Sequence, residues 1–198
     1  MNINDKRRGC LLGLAIGDSL GGPVEFKSPG SFPPVTTYLS GGPHGLNKGE
    51  WTDDTSLALA LLDSINSNGW DLKDQVSRYV EWYANGKYSV NGRCFDIGCT
   101  TRWALEKFMD SDVISGLTEP ESSGNGGIMR IAPVAMSYYD RSYDALFRLG
   151  VESSSTTHNS EMCRSAAGYM TVVLAALING VSKEEVLEMP DDLKDIYV

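Results

Sequence analysis

The chain has few residues of the types that build zinc sites. It contains two histidines and four cysteines, and no two cysteines form a CxxC pair. They are His44, His158, Cys10, Cys94, Cys99 and Cys163. Structural zinc sites need closely spaced thiolates and imidazoles, so this composition disfavours one. We interpret the cysteines as small buried thiols in a reducing compartment, and we expect a cytoplasmic protein.

Basic residues are also scarce. The 17 lysines and arginines are outnumbered by 26 acidic residues, which gives a net charge of -9. No run of basic residues forms a stripe of the kind that neutralises nucleic-acid phosphates, so we expect no nucleic-acid partner. A small anionic ligand is compatible with this charge, because local donors or a bound cation can outweigh the global sign.

Long apolar runs are missing too. The most apolar segment, MTVVLAALI at residues 170–178, is shorter than the roughly 20 residues that span a bilayer, so we predict no membrane association. The N-terminus has basic residues before an apolar stretch, as a signal peptide does. Asp18 and the glycines after it end that stretch without a small-residue cleavage pattern. We therefore interpret it as the first core helix, from about Arg8 to Ile16.

The overall amino-acid composition is typical of a folded domain. Hydrophobic residues make up 41% of the chain and charged residues 22%, which is ordinary for a globular protein. A length of 198 residues is enough for one domain with a buried core and short for two. We predict a single domain over residues 1–198.

Helical patterns occur nearly throughout the chain. In residues 71–83 apolar side chains recur every three or four positions, and Gly86 follows as a stop. A similar helix is predicted over residues 142–149, with Ser142 as its N-cap and Gly150 just past its end. We find no alternating strand pattern of useful length, which predicts an all-α fold.

The rest of the chain divides into one unusual helix and long loops. Residues 161–178 are small or apolar on several sides, so we place this helix in the centre of a bundle. Ser182 and Glu185 form a capping-box pattern after it. Residues 21–45 and 115–127 are rich in glycine, proline and serine, and loops of this length often serve as lids or binding loops.

The first candidate site is the stretch WTDDTSLALALL at residues 51–62. Asp53 and Asp54 lie between Thr52 and Thr55 at the start of an apolar helix. Either the acids cap the helix, or they hold a cation. Only one of them can cap, and the other must tolerate its neighbour's charge. A hard divalent cation, bound by carboxylate and hydroxyl oxygens, removes that repulsion.

Two acidic residues upstream are further candidates. Asp18 precedes a Gly-Gly turn, where a turn role and a functional role are both compatible with the sequence. Glu25 lies between a proline turn and Phe26. Burial against Phe26 would raise the pKa of Glu25 and suit it to proton transfer.

Two loops containing glycine are candidate ligand-binding segments. In ESSGNGGIMRIAP, residues 121–133, the glycines either let the backbone approach an anion before a helix or form a flexible loop. In CFDIGCTT, residues 94–101, Asp96 is placed to bind ribose hydroxyls. Phe95 either stacks on a base or packs in the core.

Five segments follow one another in the order of known family signatures. They are GDSLGGPVEF, WTDDTSLALAL, FDIGCTTRWAL, GNGGIMRIAPVA and STTHNSEMCRSAAGYM. In these segments the chain resembles the ADP-ribosylglycohydrolase family, from about Gly9 to Gly180. The resemblance implies a compact all-α domain of orthogonal helices with a binuclear Mg²⁺ or Mn²⁺ site at the bottom of a cleft.

The resemblance also implies roles for individual residues. Thr52, Asp53 and Asp54 would form the first half of the metal shell. The catalytic residues would be the same two aspartates and Glu25, which would touch substrate or metal-bound water from the loop over the cleft. The residues that would bind ADP-ribose are Phe95, Asp96, Gly98, Gly124, Asn125, Gly126, Met129 and His158. For His158 a purely structural role at a helix start is the alternative.

One family signature is missing from the sequence. Family members supply the remaining metal ligands from a later DxDT motif in a glycine-rich setting, and this chain contains none. Asp191 and Asp192 lack the threonine, and we predict that they start a short terminal helix. The domain is therefore expected to be C-terminally shortened. Its metal would be held weakly or not at all, because water must complete the octahedral shell.

Three functions are compatible with these features. The first is hydrolysis of the N- or O-glycosidic bond of an ADP-ribosyl derivative, in which carboxylates stabilise an oxocarbenium-like transition state. The second is capture of an ADP-ribose-like nucleotide without cleavage, as a sensor or sponge. The third is a structural or inhibitory role. Expected partners are an ADP-ribose-like small molecule or an ADP-ribosylated protein. A homo-oligomer is also expected, since shortening would uncover apolar surface.

Overall fold

The computed structural model describes residues 2–187 and contains eight α-helices in that range. They are α1 (Ile3–Gly21), α2 (Asp53–Asn68), α3 (Leu72–Asn85), α4 (Cys99–Ser111), α5 (Ala132–Tyr138), α6 (Tyr143–Ser155), α7 (Glu161–Asn179) and α8 (Lys183–Leu187). Apart from isolated bridges that join Gly41 to Leu46 and Leu117 to His158, these residues form no β-structure. The all-α prediction is confirmed.

The described residues do not test two of the predictions. The terminal helix predicted at Asp191 and Asp192 lies outside the described residues, and the single-domain assignment of residues 1–198 stays a prediction.

Local capping defines several of the helix ends that the sequence predicts. Asp71 caps α3, and its side chain accepts hydrogen bonds from the backbone N–H of Lys73 and Asp74. The capping box before α8 is present. The N–H of Ser182 donates to Glu185 Oε2 at 2.9 Å, and the N–H of Glu185 donates to Ser182 Oγ at 3.1 Å. These ends depend on neighbouring residues alone, which is why sequence patterns predict them.

The first helix is longer than predicted. It begins at Ile3, because the Asn2 side chain accepts a hydrogen bond from the N–H of Asp5 at 2.9 Å. It also runs past Ile16 to Gly21. Its last turns therefore carry Asp18 towards the start of α2, which matters for the site described below.

Helix α7 lies in the centre of the bundle, as predicted, and packs against α1, α5 and α6. By length and composition alone this helix could cross a membrane. However, 44% of its most apolar 18-residue stretch is buried inside the protein. A core helix of a globular domain has the same properties. The main core lies between α2, α3, α4 and α5, and its largest fully buried members are Trp82, Tyr79, Leu57, Leu61 and Leu105.

Gly150 does not end α6, and the prediction that it does is wrong. The helix continues to Ser155. A β-carbon at position 150 would lie 2.5 Å from Thr171 Oγ1 and 2.6 Å from the Ala167 carbonyl oxygen, both on α7. Glycine is needed here because the two helices approach closely, and its helix-terminating tendency is overridden by that packing.

Gly150→Ala is expected to destabilise the protein by about 1–3 kcal/mol, because the added methyl group overpacks the crossing of α6 and α7. The matched control is Gly13→Ala on α1, where a β-carbon would meet no atom within 4 Å. There the change should stabilise the protein by about 0.5–1 kcal/mol through helix propensity. Urea unfolding of both variants measures the difference. Equal effects at the two positions would contradict the packing explanation.

Candidate active site

A carboxylate from another helix caps the start of α2. Asp18 on α1 accepts hydrogen bonds from four donor groups of Thr52 and Thr55. Its Oδ1 accepts from the Thr52 N–H at 3.0 Å and hydroxyl at 2.8 Å, and its Oδ2 accepts from the Thr55 N–H at 3.0 Å and hydroxyl at 2.6 Å. Thr52 is the N-cap residue, but its own side chain makes no capping bond. Asp18 therefore satisfies the helix start, and neither Asp53 nor Asp54 is required for capping.

The two adjacent aspartates are crowded and poorly solvated. Asp53 is only 6% exposed. Burial raises the pKa of Asp53 to about 9, and the negative charge of Asp54 adds to this effect. Burial also raises the pKa of Asp54 to about 6, with the charges of Asp18 and Glu25 as further causes. Such perturbed carboxylates are typical of functional sites, because a fold has no structural need to confine like charges.

Asp54 lies on the wall of a cleft between α1, the loop that follows it and the start of α2. The cleft has a volume of about 400 Å³. Its polar lining residues include Asp18, Glu25, Thr52, Asp54 and Asn125. Asp54 therefore borders a cavity in which an ion or a ligand has room, and buried Asp53 precedes it in the chain.

The glycine loop that was predicted to hold a phosphate packs on His158. A β-carbon at Gly126 would lie 2.3 Å from His158 Cε1, so only glycine lets the loop rest on the ring. His158 is 3% exposed, and its Nδ1 lies 2.9 Å from Thr157 Oγ1. Burial, assisted by the charge of Arg130, lowers the pKa of His158 to about 4. The neutral imidazole thus supports the loop from behind, which agrees with the structural alternative.

The other predicted binding residues lie at different depths around the loops. Gly124 and Asn125 are exposed, and Asn125 borders the cleft. Gly98 is the exposed N-cap of α4. Met129 is half-buried and packs against the main core. Its side chain therefore contributes to core packing as well as to the region beneath the loop.

A second polar group, formed by Glu25, His44 and Asp96, lies beside the cleft. The Nε2 atom of His44 is 3.2 Å from Glu25 Oε2 and 3.2 Å from Asp96 Oδ1. Burial and the charge of Glu25 raise the pKa of Asp96 to about 7, while His44 opposes the shift. The sequence patterns single out both acids but not His44, which is far from each of them in the chain.

Aromatic rings flank this histidine. The ring of half-buried Phe95 lies 5.5 Å from the His44 ring, and the ring of Phe26 lies 6.1 Å from it. Phe26 is 79% exposed. The expectation that Phe26 buries Glu25 is therefore wrong, because its backbone adopts a left-handed φ of 61° and its ring stays in solvent.

The sequence and the fold are similar to those of known proteins. A family model described as ADP-ribosylglycohydrolase matches residues 1–196. The chain belongs to the ADP-ribosylglycohydrolase family. A solved structure described as an ADP-ribosylglycohydrolase-related protein complex superposes with a TM-score of 0.82 at 36% identity, over 94% of this chain and 60% of that one.

Named relatives within the ADP-ribosylglycohydrolase family are longer than this chain. An ADP-ribosylarginine hydrolase of Pseudomonas putida (strain GB-1) is 42% identical over 185 residues, which are 92% of this chain and 49% of that protein. One of Serratia proteamaculans (strain 568) is 42% identical over 91% of this chain and 50% of its own. The ADP-ribosyl-[dinitrogen reductase] glycohydrolase of Rhodospirillum rubrum is 28% identical over 90% and 60%. The chain thus spans about half the length of the first two relatives.

One residue of the family signature GNGGIMRIAPVA has a role that the sequence patterns miss. Arg130 is completely buried, and its Nη2 donates to Thr156 Oγ1 at 3.0 Å and Thr157 Oγ1 at 2.8 Å. Its guanidinium carbon lies 4.4 Å from the centre of the Tyr79 ring. Burial lowers the pKa of Arg130, and the charge of Asp53 is among the influences that oppose this. A charged residue inside the apolar run IMRIAP is the signal that could have indicated such a buried cation.

The residues at the head of α2 fit the metal that the family resemblance implies. The hydroxyl of Thr52 and the carboxylates of Asp53 and Asp54 are oxygen donors, which hard cations such as Mg²⁺ and Mn²⁺ prefer. A bound dication would lower the pKa of both acids, because its positive charge favours their ionised forms. The donor chemistry and the electrostatics therefore agree with a metal at this position.

Proposed function

We propose that this chain binds an ADP-ribosyl group in the cleft and, when its metal centre is complete, hydrolyses the glycosidic bond of that group. The observation that carries the proposal is the capping of α2 by Asp18. Neither Asp53 nor Asp54 is then needed to cap the helix, although burial raises the pKa of both, and Asp54 borders the cleft.

For the substrate we propose an ADP-ribosylated arginine side chain. Two relatives at 42% identity are named ADP-ribosylarginine hydrolases. Glu25 and Asp96 lie together beside the cleft, each 3.2 Å from the same histidine nitrogen. Two neighbouring carboxylates complement a guanidinium group, which offers several N–H donors in one plane. This feature supports an arginine derivative over a neutral O-linked one.

The proposed roles of the chain's residues follow from their places around the cleft. Thr52, Asp53 and Asp54 would hold Mg²⁺ or Mn²⁺, which when bound supplies positive charge for ribose hydroxyls and lowers the pKa of a water. Phe95 and Asp96 would contact the ADP-ribose from one side. Gly98, Gly124, Asn125, Gly126 and Met129 would form its loop surroundings, with His158 as a support beneath them.

In the proposed reaction the bond between the anomeric carbon and the guanidinium nitrogen breaks, and a water oxygen bonds to that carbon. One water hydrogen stays on the new hydroxyl and the other is transferred to the departing nitrogen. Glu25 lines the cleft and is placed to accept and return that proton. Nearby carboxylates would stabilise the positive charge that develops on the sugar ring.

The second candidate function is binding of an ADP-ribose-like nucleotide without cleavage. It is supported by the small donor set at the head of α2, where the described residues offer the Thr52 hydroxyl and the carboxylates of Asp53 and Asp54. A metal held by Thr52, Asp53 and Asp54 alone would need water in its remaining coordination positions, and its affinity for the site would be low.

Incubation with an ADP-ribosylarginine peptide and Mn²⁺ distinguishes the two functions. We expect chromatography to detect free ADP-ribose and unmodified peptide. Recovery of intact peptide together with a raised melting temperature would support binding without cleavage. If the peptide is neither cleaved nor bound, the proposed function is wrong and a structural role is favoured. An ADP-ribosylserine peptide serves as the comparison substrate.

Two further expectations stay proposals. We propose self-association, which is compatible with the exposure of Leu12 and Ile16 on α1, at 59% and 46%. We also propose a cytoplasmic location, which is compatible with four cysteines that form no disulfide.

A further inference from the structure

Three side chains from separate loops converge at one point beside the cleft. Glu25 follows the end of α1, His44 belongs to the loop before α2, and Asp96 precedes α4. One nitrogen of His44 and one oxygen of each acid all lie within 4.8 Å of one another. The side chains are partly shielded from solvent, with exposures of 33% for Glu25, 16% for His44 and 11% for Asp96.

Two carboxylates meet at one imidazole nitrogen in this group. The Nε2 atom of a histidine carries at most one hydrogen, yet here it has a carboxylate oxygen at 3.2 Å on each of two sides. If His44 donates to Glu25, its contact with Asp96 has no second hydrogen to share. Burial, the charge of Glu25 and a hydrogen bond with Glu25 raise the pKa of Asp96 to about 7, so without a cation this acid retains a proton near neutral pH. A cation among the three atoms would satisfy all of them.

The separations match those of a metal shell. Zinc bonds of about 2.0–2.1 Å at tetrahedral angles place neighbouring ligand atoms roughly 3.3 Å apart. Both separations from the His44 nitrogen are 3.2 Å. Two separations thus match the edges of such a tetrahedron, and the two carboxylate oxygens lie within 4.8 Å of each other.

Aromatic rings and unusual backbone conformations occur around these ligands. The centre of the His44 ring is 5.5 Å from that of half-buried Phe95 and 6.1 Å from that of exposed Phe26. Phe26 and Asp96 both have a left-handed backbone, with φ of 61° and 60°. Such conformations are uncommon for residues other than glycine, and they concentrate at functional sites.

We infer that Glu25, His44 and Asp96 bind a transition-metal dication of the Zn²⁺ class, with water in the fourth position. The imidazole nitrogen gives this group a preference for Zn²⁺, Co²⁺ or Ni²⁺ over Mg²⁺, whereas the site at the head of α2 offers oxygen donors alone. The sequence disfavours a structural zinc site of thiolates and imidazoles. This one uses two carboxylates, and the tertiary fold brings its ligands together.

A bound ion would have a direct effect on the cleft. It would engage Glu25 and Asp96, the two acids that the proposed function assigns to the substrate. Zn²⁺ is therefore expected to inhibit hydrolysis. This consequence rests on the proposed function, but binding of the ion does not.

The test uses the metal-free full chain and two probes, Zn²⁺ by calorimetry and Co²⁺ by visible absorption. We expect one Zn²⁺ per chain at this site and a Co²⁺ spectrum of four-coordinate type without a sulfur charge-transfer band. His44→Gln should weaken Zn²⁺ binding at least about tenfold, since even loss of an outer-shell partner costs that much. It should leave Mn²⁺ binding, followed by electron paramagnetic resonance, unchanged.

Asp53→Asn is the matched control, because it should weaken Mn²⁺ binding and leave Zn²⁺ binding unchanged. The inference is overturned if His44→Gln binds Zn²⁺ as the parent does, if Asp53→Asn abolishes Zn²⁺ binding, or if the Co²⁺ spectrum reports thiolate ligands. Should His44→Gln fold poorly by circular dichroism, Asp96→Asn replaces it with the same expected loss. A chain that neither cleaves nor binds an ADP-ribosyl peptide but binds Zn²⁺ as described would refute the proposed function and retain this site.

Discussion

Replacing Asp53 by asparagine is expected to lower the rate of ADP-ribosyl hydrolysis more than about a hundredfold, because loss of an outer-shell partner of a metal already costs 10- to 100-fold. Asparagine keeps the size of the side chain and removes its charge. The residue is 6% exposed and lies at the start of α2. Rates measured at saturating Mn²⁺ and at limiting Mn²⁺ separate a loss of metal affinity from a loss of chemistry.

The same substitution is expected to stabilise the metal-free protein by about 1–3 kcal/mol, because a buried carboxylate without a partner costs more than a neutral group of equal shape. Asp53 is surrounded by the negative charges of Asp54, Asp96 and Asp18, which help to raise its pKa. Chemical denaturation without metal measures the effect. A residue retained only for stability would show the opposite sign.

The control for Asp53→Asn is Asp110→Asn on the exposed surface of α4. It makes the same chemical change away from the cleft and should alter neither the rate nor the stability beyond about 0.5 kcal/mol. If both variants behave alike, Asp53 has no special place in the reaction. If Asp53→Asn destabilises the metal-free protein while the control does not, the carboxylate is a structural element.

The stability of the metal-free protein is expected to fall as the pH rises. In the folded state the pKa is about 9 for Asp53, about 7 for Asp96 and about 6 for Asp54, against an ordinary value of 3.8. Between these values the folded chain holds protons that the unfolded chain releases. Stabilisation is therefore complete below pH 3.8 for these groups and is lost as the pH rises through each folded pKa. The expected loss between about pH 5 and about pH 9 is at least roughly 2 kcal/mol.

His158 acts in the opposite direction on the acid side. Its pKa is lowered from 6.5 to about 4 in the folded protein. The neutral ring therefore contributes stability that is complete above pH 6.5 and is lost as the pH falls towards 4. Three carboxylates oppose this one histidine, so the net stability still falls as the pH rises, and His158 only makes the fall less steep between about pH 4 and about pH 6.5.

Mn²⁺ is expected to counteract the loss of stability at high pH. It binds the ionised carboxylates and replaces the protons that they hold, so its stabilising effect should increase with pH. Melting temperatures recorded across the pH range, with and without Mn²⁺, give both curves. Asp53→Asn should flatten the metal-free curve. A metal-free curve that rises from pH 6 to pH 9 would contradict the assigned pKa directions.

The helical fold follows from features that are local in the chain. Asp71 caps α3, and Ser182 and Glu185 cap α8, through hydrogen bonds to residues no more than three positions away. Apolar spacing in residues 71–83 indicates the buried face of α3 in the same local way. The paired acids at Asp53 and Asp54 are also visible locally, because two adjacent charges before an apolar helix exceed what a cap needs.

Other features depend on contacts between distant parts of the chain, and the sequence alone does not determine them. Gly150 is a typical helix stop by composition, but contact with α7 makes it an interior residue of α6.

The site itself is decided in the same way. Local patterns in the chain predict most of the helices and the acidic pair Asp53 and Asp54, because capping and helical periodicity act over a few residues. Contacts between distant segments place Asp18 at the start of α2, 34 residues away. They also place His158 behind the glycine loop and His44 beside both Glu25 and Asp96. Charge burial and ligand convergence, in contrast, depend on which segments the folded core brings together.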